Sequence, residues 1–328
     1  MTRFYPLKIN DLRRETNECV SLAFDVPTDL QTVFNFKAGQ YLTLRTTIDG
    51  ADLRRSYSIC SAPQDGEMRV AVKEVDGGVF STHVNRQLKK GDILQVLPPS
   101  GAFSVPLEKP PSGVGGHLVF IAVGSGITPV ISNIKAILKN EPLSNCTLIY
   151  GNRRTASVIF REEIEALKNK NMQRLRVIHL LSRERTDVDL LHGRLDSEKI
   201  KQLFDRMPDL LEADGFYLCG PEDMILNIKS ALANRHIAPS KIHFELFGTG
   251  KKATNREPQA ASNREKPTST ATIRLDGVHF DVPIFQNQAI LDAALDAGAD
   301  LPFACKGGVC CTCRAKLTAG TAVALAKL

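Results

Sequence analysis

The chain has 328 residues, enough for about two or three domains. Hydrophobic residues at 43% and charged residues at 24% give an ordinary globular balance, and the net charge of +6 is spread without a dense basic run, which argues against a nucleic-acid footprint. No apolar run reaches the length of a membrane span and the start, MTRFYPLKIND, lacks the apolar core of a signal peptide, so the expectation is a soluble, cytoplasmic protein with no nucleic acid and no membrane as partner.

Residues 1–108 read as short β-rich runs. YLTLRTTI, RRSYSIC, MRVAVKEV and DILQVLPP are broken by turn signals at Asp49-Gly50, Asp65-Gly66, Gly77-Gly78 and Gly91-Asp92. Short strands without long intervening helices predict an antiparallel β barrel. Over 109–247 the pattern changes to buried strands such as HLVFIAV, CTLIYGN, LRVIHLL and GFYLCG, alternating with helical stretches such as ITPVISNIKAILKN and REEIEALKNK. That alternation predicts an α/β doubly wound parallel sheet. Residues 248–270 are almost free of bulky apolar residues and read as a linker, spanning roughly 25 Å as a flexible coil. Residues 271–328 begin with two alternating runs about Asp276-Gly277, a hairpin signal. An amphipathic helix follows, with Ile290, Leu291, Ala294 and Leu295 on one face and Gly298 near its end.

Two motifs in the first segment have the chemistry of a flavin site. In Arg55-Ser56-Tyr57-Ser58 alternate residues share a strand face, so Arg55 and Tyr57 point together. A tyrosine ring can stack on an isoalloxazine and a guanidinium can pair with a diphosphate; the same pattern also suits an ordinary half-buried strand. In Gly77-Gly78-Val79-Phe80-Ser81-Thr82 the glycines allow backbone amides to approach phosphate oxygens, with Ser81 and Thr82 as added donors. The plain reading of that stretch is a turn followed by a helix cap.

The second segment carries a nucleotide pattern. A buried strand runs into Gly124-x-Gly126 and then a helix, where Thr128 can cap the helix and donate to a phosphate. Ser182 and Arg183 end a further strand where an adenosine ribose is read, and an arginine there suits a 2′-phosphate, so NADPH is expected, with NADH as the alternative. Cys219 and Gly220 end the next strand; Cys219 is either a core thiol or a compact neighbour of the nicotinamide. Glu245 and Phe247 are either a plain strand end or a border of the flavin.

Four of the eight cysteines, Cys305, Cys310, Cys311 and Cys313, fall within nine residues, which points to metal chemistry rather than disulfides. Cys305, Cys310 and Cys313 have the C-x4-C-x2-C spacing that opens a plant-type 2Fe–2S loop needing a fourth thiolate. No cysteine lies among the fifteen residues after Cys313, and Cys311 is too close between its neighbours to substitute. The expected module is a truncated α+β, β-grasp ferredoxin-like domain with the fourth ligand missing from this chain.

In this order, R-x-Y-S at 55–58, G-x-x-S at 78–81, G-S-G-I-T-P at 124–129, Y-G-N-R at 150–153, S-R at 182–183 and C-G-P at 219–221 resemble the ferredoxin–NADP⁺ reductase superfamily. The cysteine loop narrows the resemblance to oxygenase reductases with a C-terminal 2Fe–2S domain. It implies that Arg55, Ser56, Tyr57, Ser58, Val72, Lys73, Gly78, Val79, Phe80 and Ser81 hold FAD, with Tyr57 stacked on the flavin and Ser58 near its N5. It implies that Gly124, Gly126, Thr128, Ser182, Arg183, Cys219 and Gly220 hold NADPH. Tyr57, Ser58, Cys219 and Glu245 would border the hydride path, and Cys305, Cys310 and Cys313 would ligate the cluster. The implied activity is electron transfer from NADPH through FAD and the cluster to a di-iron oxygenase subunit. The alternatives are an FAD-only NADPH diaphorase with a non-functional truncated cluster domain, or the reductase of another oxygenase such as a ketosteroid hydroxylase.

Overall fold

Alternation builds the first sheet. In β1 (Tyr5–Thr16) Leu7 and Ile9 are buried while Pro6, Lys8 and Asn10 are exposed, as one inward face requires. The computed structural model describes residues 3–106, 115–246, 267–275, 278–299, 301, 303, 306 and 312–322. Tyr5–Gly248 form one compact unit, and Thr249–Leu328 belong to another.

In the first unit β1 pairs antiparallel with β2 (Cys19–Asp25) and β6 (Ile93–Val96), β2 with β5 (Met68–Lys73), and β3 (Tyr41–Ile48) with β4 (Ala51–Ser58) and β6. The sheet order is β4-β3-β6-β1-β2-β5, and a bridge between Ile59 and Val70 joins the two edges into the expected barrel. Leu7, Ile9, Val20, Leu22, Leu42, Val70 and Val72 share its interior with Phe80 and Val84 of α1 (Val79–Arg86). β2 and β5 lose the alternation because both of their faces are covered. Cys19 and Ala71 face outward yet belong to the core of the neighbouring α/β lobe.

That lobe is a parallel sheet in the order β11-β10-β7-β8-β9. The strands are β7 (His117–Val123), β8 (Asn145–Asn152), β9 (Leu175–Leu181), β10 (Gly215–Gly220) and β11 (Ile242–Leu246). Phe120, Ala122, Leu148, Tyr150, Tyr217 and Cys219 face α2 (Ile127–Asn140) and α3 (Arg161–Lys170). Val119, Ile121, Ile149, Phe216 and Leu218 face α4 (Ser197–Arg206) and α5 (Glu222–Ala233). Two apolar faces explain why these strands read as continuous hydrophobic runs. The chain reverses its strand order between β7 and β10, so the carboxyl ends of those two strands flank the crevice where such sheets bind ligands.

Helix α2 joins the lobe to the barrel. Its Ser132 hydroxyl donates to the Ser61 carbonyl at 2.6 Å. The Asn133 amide donates to Phe103 O at 3.0 Å and to Pro129 O at 2.8 Å, and its oxygen accepts from Val105 N–H at 2.9 Å. Lys135 pairs with Glu163 at 2.8 Å and with Asp65 of the barrel. These polar residues sit inside an otherwise apolar helix because each finds a fixed partner there.

In the second unit β12 (Ser269–Leu275) and β13 (Val278–Ile284) pair antiparallel from Ser269–Ile284 to Leu275–Val278, leaving only residues 276 and 277 between them. β12 starts two residues inside the segment expected to be linker. Val282 and Ile284 pack on Ala293 and Ala294 of α6 (Ile290–Asp296). The expected apolar face is thus displaced: Ala293 and Ala294 are its buried pair, and Ile290 is 44% exposed. Among the described residues no helix is long and apolar enough to cross a membrane.

Replacing Asn133 with alanine strands the buried Phe103 carbonyl and Val105 amide at about 1–3 kcal/mol each. Asn133→Ala is therefore expected to lower stability by about 3 kcal/mol, read from the urea midpoint at unchanged m-value.

Candidate flavin–nicotinamide junction

Strand β4 presents the R-x-Y-S residues in sequence. Arg55 is exposed, and one of its guanidinium nitrogens donates to the Arg54 carbonyl at 2.7 Å. Ser56 meets Thr43 hydroxyl to hydroxyl at 3.0 Å across the β3–β4 pair. Tyr57 is half-buried and packs its ring on Phe80 of α1, with centroids 5.9 Å apart and planes tilted by 33°. Burial pushes the Tyr57 hydroxyl well above its ordinary pKa. An exposed guanidinium and a half-buried ring on one strand face suit a diphosphate and a flat ring system.

The glycine turn closes onto α1. Gly78 is the residue before the helix, and its carbonyl accepts from the Ser81 hydroxyl at 3.0 Å; that hydroxyl also accepts from Val75 N–H at 3.1 Å. Ser81 is therefore a clasp for the turn rather than an outward donor. A groove of about 280 Å³ lined by Ile48, Asp49, Gly77, Gly78, Val79 and Thr82 opens beside it. Val79 is 56% exposed. Val72 lies in the barrel core and its carbonyl accepts from the Asn85 amide at 3.0 Å, while Lys73 reaches Glu18 at 3.6 Å.

On the α/β lobe, Gly124 and Gly126 form one turn of 3-10 helix that leads directly into α2. Gly126 lies so close to β10 that a Cβ would collide with the Cys219 carbonyl. Thr128 is buried and does not cap α2; its hydroxyl donates to the Ser125 carbonyl at 3.1 Å. Ser182 N–H donates to Asn152 O at 3.0 Å and Arg183 N–H to Arg153 O at 2.8 Å, which holds the ends of β8 and β9 together and leaves the Arg183 side chain exposed. Nδ2 of Asn152, buried at the end of β8, has no hydrogen-bond partner among the described residues. A helix N-terminus, a close-packed glycine and an orphaned amide at the carboxyl ends of parallel strands fit a dinucleotide.

Besides the contacts of α2, a hydrogen bond joins the end of β4 to β11. The buried Ser58, last residue of β4, donates its hydroxyl to Glu245 of β11 at 3.3 Å. Glu245 is the register partner of Cys219 on β10, and Cys219 that of Ala122 on β7. Burial raises the Glu245 carboxyl to about 7, and the bond from Ser58 offsets part of that rise. Burial and the nearby Glu245 carboxylate push the Cys219 thiol well above its ordinary value, so it stays a neutral thiol in the core. Gly220 follows, pressed against Met224. Ser58, Cys219 and Glu245, named from separate strands, thus form one cluster. Sequence reasoning did not single out Thr43 or Asn133, whose one available signal was a polar residue inside an apolar run, and met Asn152 only as part of the Y-G-N-R motif. Phe247, Cys305, Cys310 and Cys311 lie outside the described residues, and Cys313 is half-buried.

An antiparallel barrel with a ring-bearing strand, joined to a doubly wound lobe with a glycine loop, defines a flavin- and nicotinamide-dependent oxidoreductase. Three family matches agree: the oxidoreductase FAD-binding domain over residues 6–105, the oxidoreductase NAD-binding domain over 120–230 and the 2Fe–2S iron–sulfur cluster binding domain over 273–327. The chain is 40% identical over 321 residues to a subunit of the 1,2-phenylacetyl-CoA epoxidase of Escherichia coli (strain K12), covering 98% of this chain and 88% of that protein. It is 30% identical over 319 residues to the ferredoxin reductase component of 3-ketosteroid-9-alpha-monooxygenase from Rhodococcus rhodochrous, covering 96% and 86%. Phthalate dioxygenase reductase shares the fold with a TM-score of 0.62 at 24% identity, over 94% of this chain and 85% of that one. The chain belongs to the ferredoxin–NADP⁺ reductase superfamily, in the group whose members add a 2Fe–2S domain. It is an electron-transfer reductase of the kind that serves oxygenases.

Glu245 carries a pH signature. Its folded pKa of about 7 exceeds the ordinary 4.5, so the folded protein holds a proton that the unfolded chain releases. Stability of the flavin-stripped protein should fall as pH rises from about 4.5 to 7 and then level. Thermal melts at pH 5, 6, 7 and 8 should show this component lost in Glu245→Gln, and Ser58→Ala should extend it to higher pH.

Proposed function

We propose that the chain is the reductase of a phenylacetyl-CoA epoxidase, taking electrons from NADPH and delivering them through FAD and a 2Fe–2S centre to a di-iron oxygenase subunit. The observation that carries this reading is the Ser58–Glu245 hydrogen bond, which joins the end of the flavin strand to the nicotinamide edge. The 40% identity to the epoxidase component, against 30–32% for the ketosteroid monooxygenase components, favours phenylacetyl-CoA over a steroid as the partner's substrate.

FAD, when bound, supplies the conversion of a two-electron hydride donor into a one-electron output. On this reading Arg55 and the first amides of α1 hold its diphosphate, and Tyr57, backed by Phe80, presents a ring face. Ser56, Ser58, Val72, Lys73, Gly78, Val79 and Ser81 complete the wall. Gly124, Gly126, Thr128, Ser182, Arg183 and Gly220 hold NADPH, with Arg183 on the 2′-phosphate. Cys219 stays a neutral thiol and Glu245, with its pKa raised to about 7, carries less charge near the ring contact than an ordinary carboxylate. Cys305, Cys310 and Cys313 would supply three of the four thiolates that a 2Fe–2S cluster takes, which suits a reducing, cytoplasmic setting. Domains of 1–108, 109–247 and 271–328, with a linker at 248–270, correspond to these three tasks.

The test is reconstitution. Purified di-iron epoxidase subunits with NADPH should convert phenylacetyl-CoA only when this chain is added; failure there, with NADPH-driven ferricyanide reduction intact, overturns the choice of partner. Arg183→Ala should lower kcat/KM for NADPH about tenfold or more and leave NADH nearly unchanged, because only NADPH carries the 2′-phosphate. Cys310→Ala should retain ferricyanide reduction and lose cytochrome c reduction, because only the second acceptor draws on the cluster.

A further inference from the structure

The loop that opens α2 poses a problem of polarity. A diphosphate is attracted by amide N–H groups and repelled by carbonyl oxygens, and Gly124-Ser125-Gly126 carries both within one short turn. Gly124 lies at φ +56°, in the left-handed region, which turns its carbonyl away from the direction an ordinary residue would give it. That carbonyl accepts a hydrogen bond from the Tyr150 hydroxyl at 2.9 Å. The next carbonyl, of Ser125, accepts from the Thr128 hydroxyl at 3.1 Å. Both oxygens also accept from the Ile127 N–H, so each is tied inside the protein by a backbone donor and a side-chain donor together, and the polarity left for an anion is that of the loop's remaining amides.

Tyr150 is fully buried on β8, directly across from Ala122 of β7. Burial pushes its phenol pKa far above the neutral range, so the group is a standing donor. A buried tyrosine needs a partner for its hydroxyl; here it donates to the glycine loop, and the Ile159 backbone also reaches it.

We propose that Tyr150 is a positioning residue for the coenzyme diphosphate: by holding the Gly124 carbonyl inward, its hydroxyl sets the loop with its amides toward the anion. The inference rests on the NADPH reading above and adds a residue from the middle of the sheet. It predicts a defect confined to the diphosphate, since the adenosine end is held by the ends of β8 and β9.

The experiment uses the full-length, FAD-loaded chain and two probes. 2′-Phospho-ADP-ribose and adenosine 2′-monophosphate share the adenosine and the 2′-phosphate and differ in the diphosphate. Calorimetry should show Tyr150→Phe binding the first about tenfold more weakly and the second as tightly as the parent. KM for NADPH should rise by a similar factor with kcat within about twofold. Replacing Tyr150 with 4-aminophenylalanine keeps a donor at the ring's end and should restore binding, which also serves if the phenylalanine variant folds poorly. Unchanged affinity for 2′-phospho-ADP-ribose, or equal loss for both probes, overturns the role of Tyr150. Failure of the parent chain to bind either probe overturns the NADPH reading instead.

Discussion

The molecule's working geometry depends on how α2 is held. Its first turn is the glycine loop, and its middle is fixed to the barrel through Asn133, Ser132 and Lys135. Helices are stiff along their axis, so fixing the middle fixes the start. The Asn133 amide matters most because it bonds both the segment leaving the barrel and its own helix, with neither end free to rotate. A lobe that binds one ring system and a lobe that binds another must hold a near-contact geometry for hydride transfer, and errors of an ångström are costly there. Buried, fully satisfied polar groups fix such a geometry better than apolar packing, which tolerates sliding.

The junction itself is notable for its lack of charge. Ser58 is neutral, Cys219 is held as a thiol, and Glu245 titrates near 7 rather than in the usual carboxylate range. Burial is the main cause of the raised pKa in both acidic groups. Charged residues are placed instead at the periphery: Arg55 on the outer face of β4 and Arg183 beyond β9 are both exposed.

Much of the architecture was legible because its periodicities differ. YLTLRTTI is strand β3 from end to end, and the continuous runs of β7, β8 and β10 are buried on both faces. The barrel's β2 and β5 were harder, since their outer faces are covered by the other lobe and so mimic parallel strands. Of the site, the residue types could be read but not their partnerships. Ser58 and Glu245 are 187 residues apart, and nothing local to either records the hydrogen bond. Ser81 and Thr128 show the converse limit: a hydroxyl near a phosphate-binding turn reads as a donor to phosphate, whereas each instead fastens its own loop. In α6 the spacing could not separate the alanine pair that packs from the isoleucine that does not, because an amphipathic stripe on a two-turn helix is broad relative to its length.

Those fastened hydroxyls share a principle. At the head of α1 Ser81 holds the Gly78 carbonyl; at the head of α2 Thr128 holds the Ser125 carbonyl and Tyr150 the Gly124 carbonyl. In each case a side-chain donor joins a backbone N–H on the same carbonyl oxygen, that of Thr82 at Gly78 and that of Ile127 at Gly124 and Ser125. A helix start attracts anions through its unpaired amides, but the turn that delivers the chain into the helix brings carbonyl oxygens along with it. Tying those oxygens down before any ligand arrives spares the binding step the cost of reorienting them. The two lobes have unrelated folds, one an antiparallel barrel and the other a parallel sheet, so the common device reflects a common electrostatic demand rather than a common architecture.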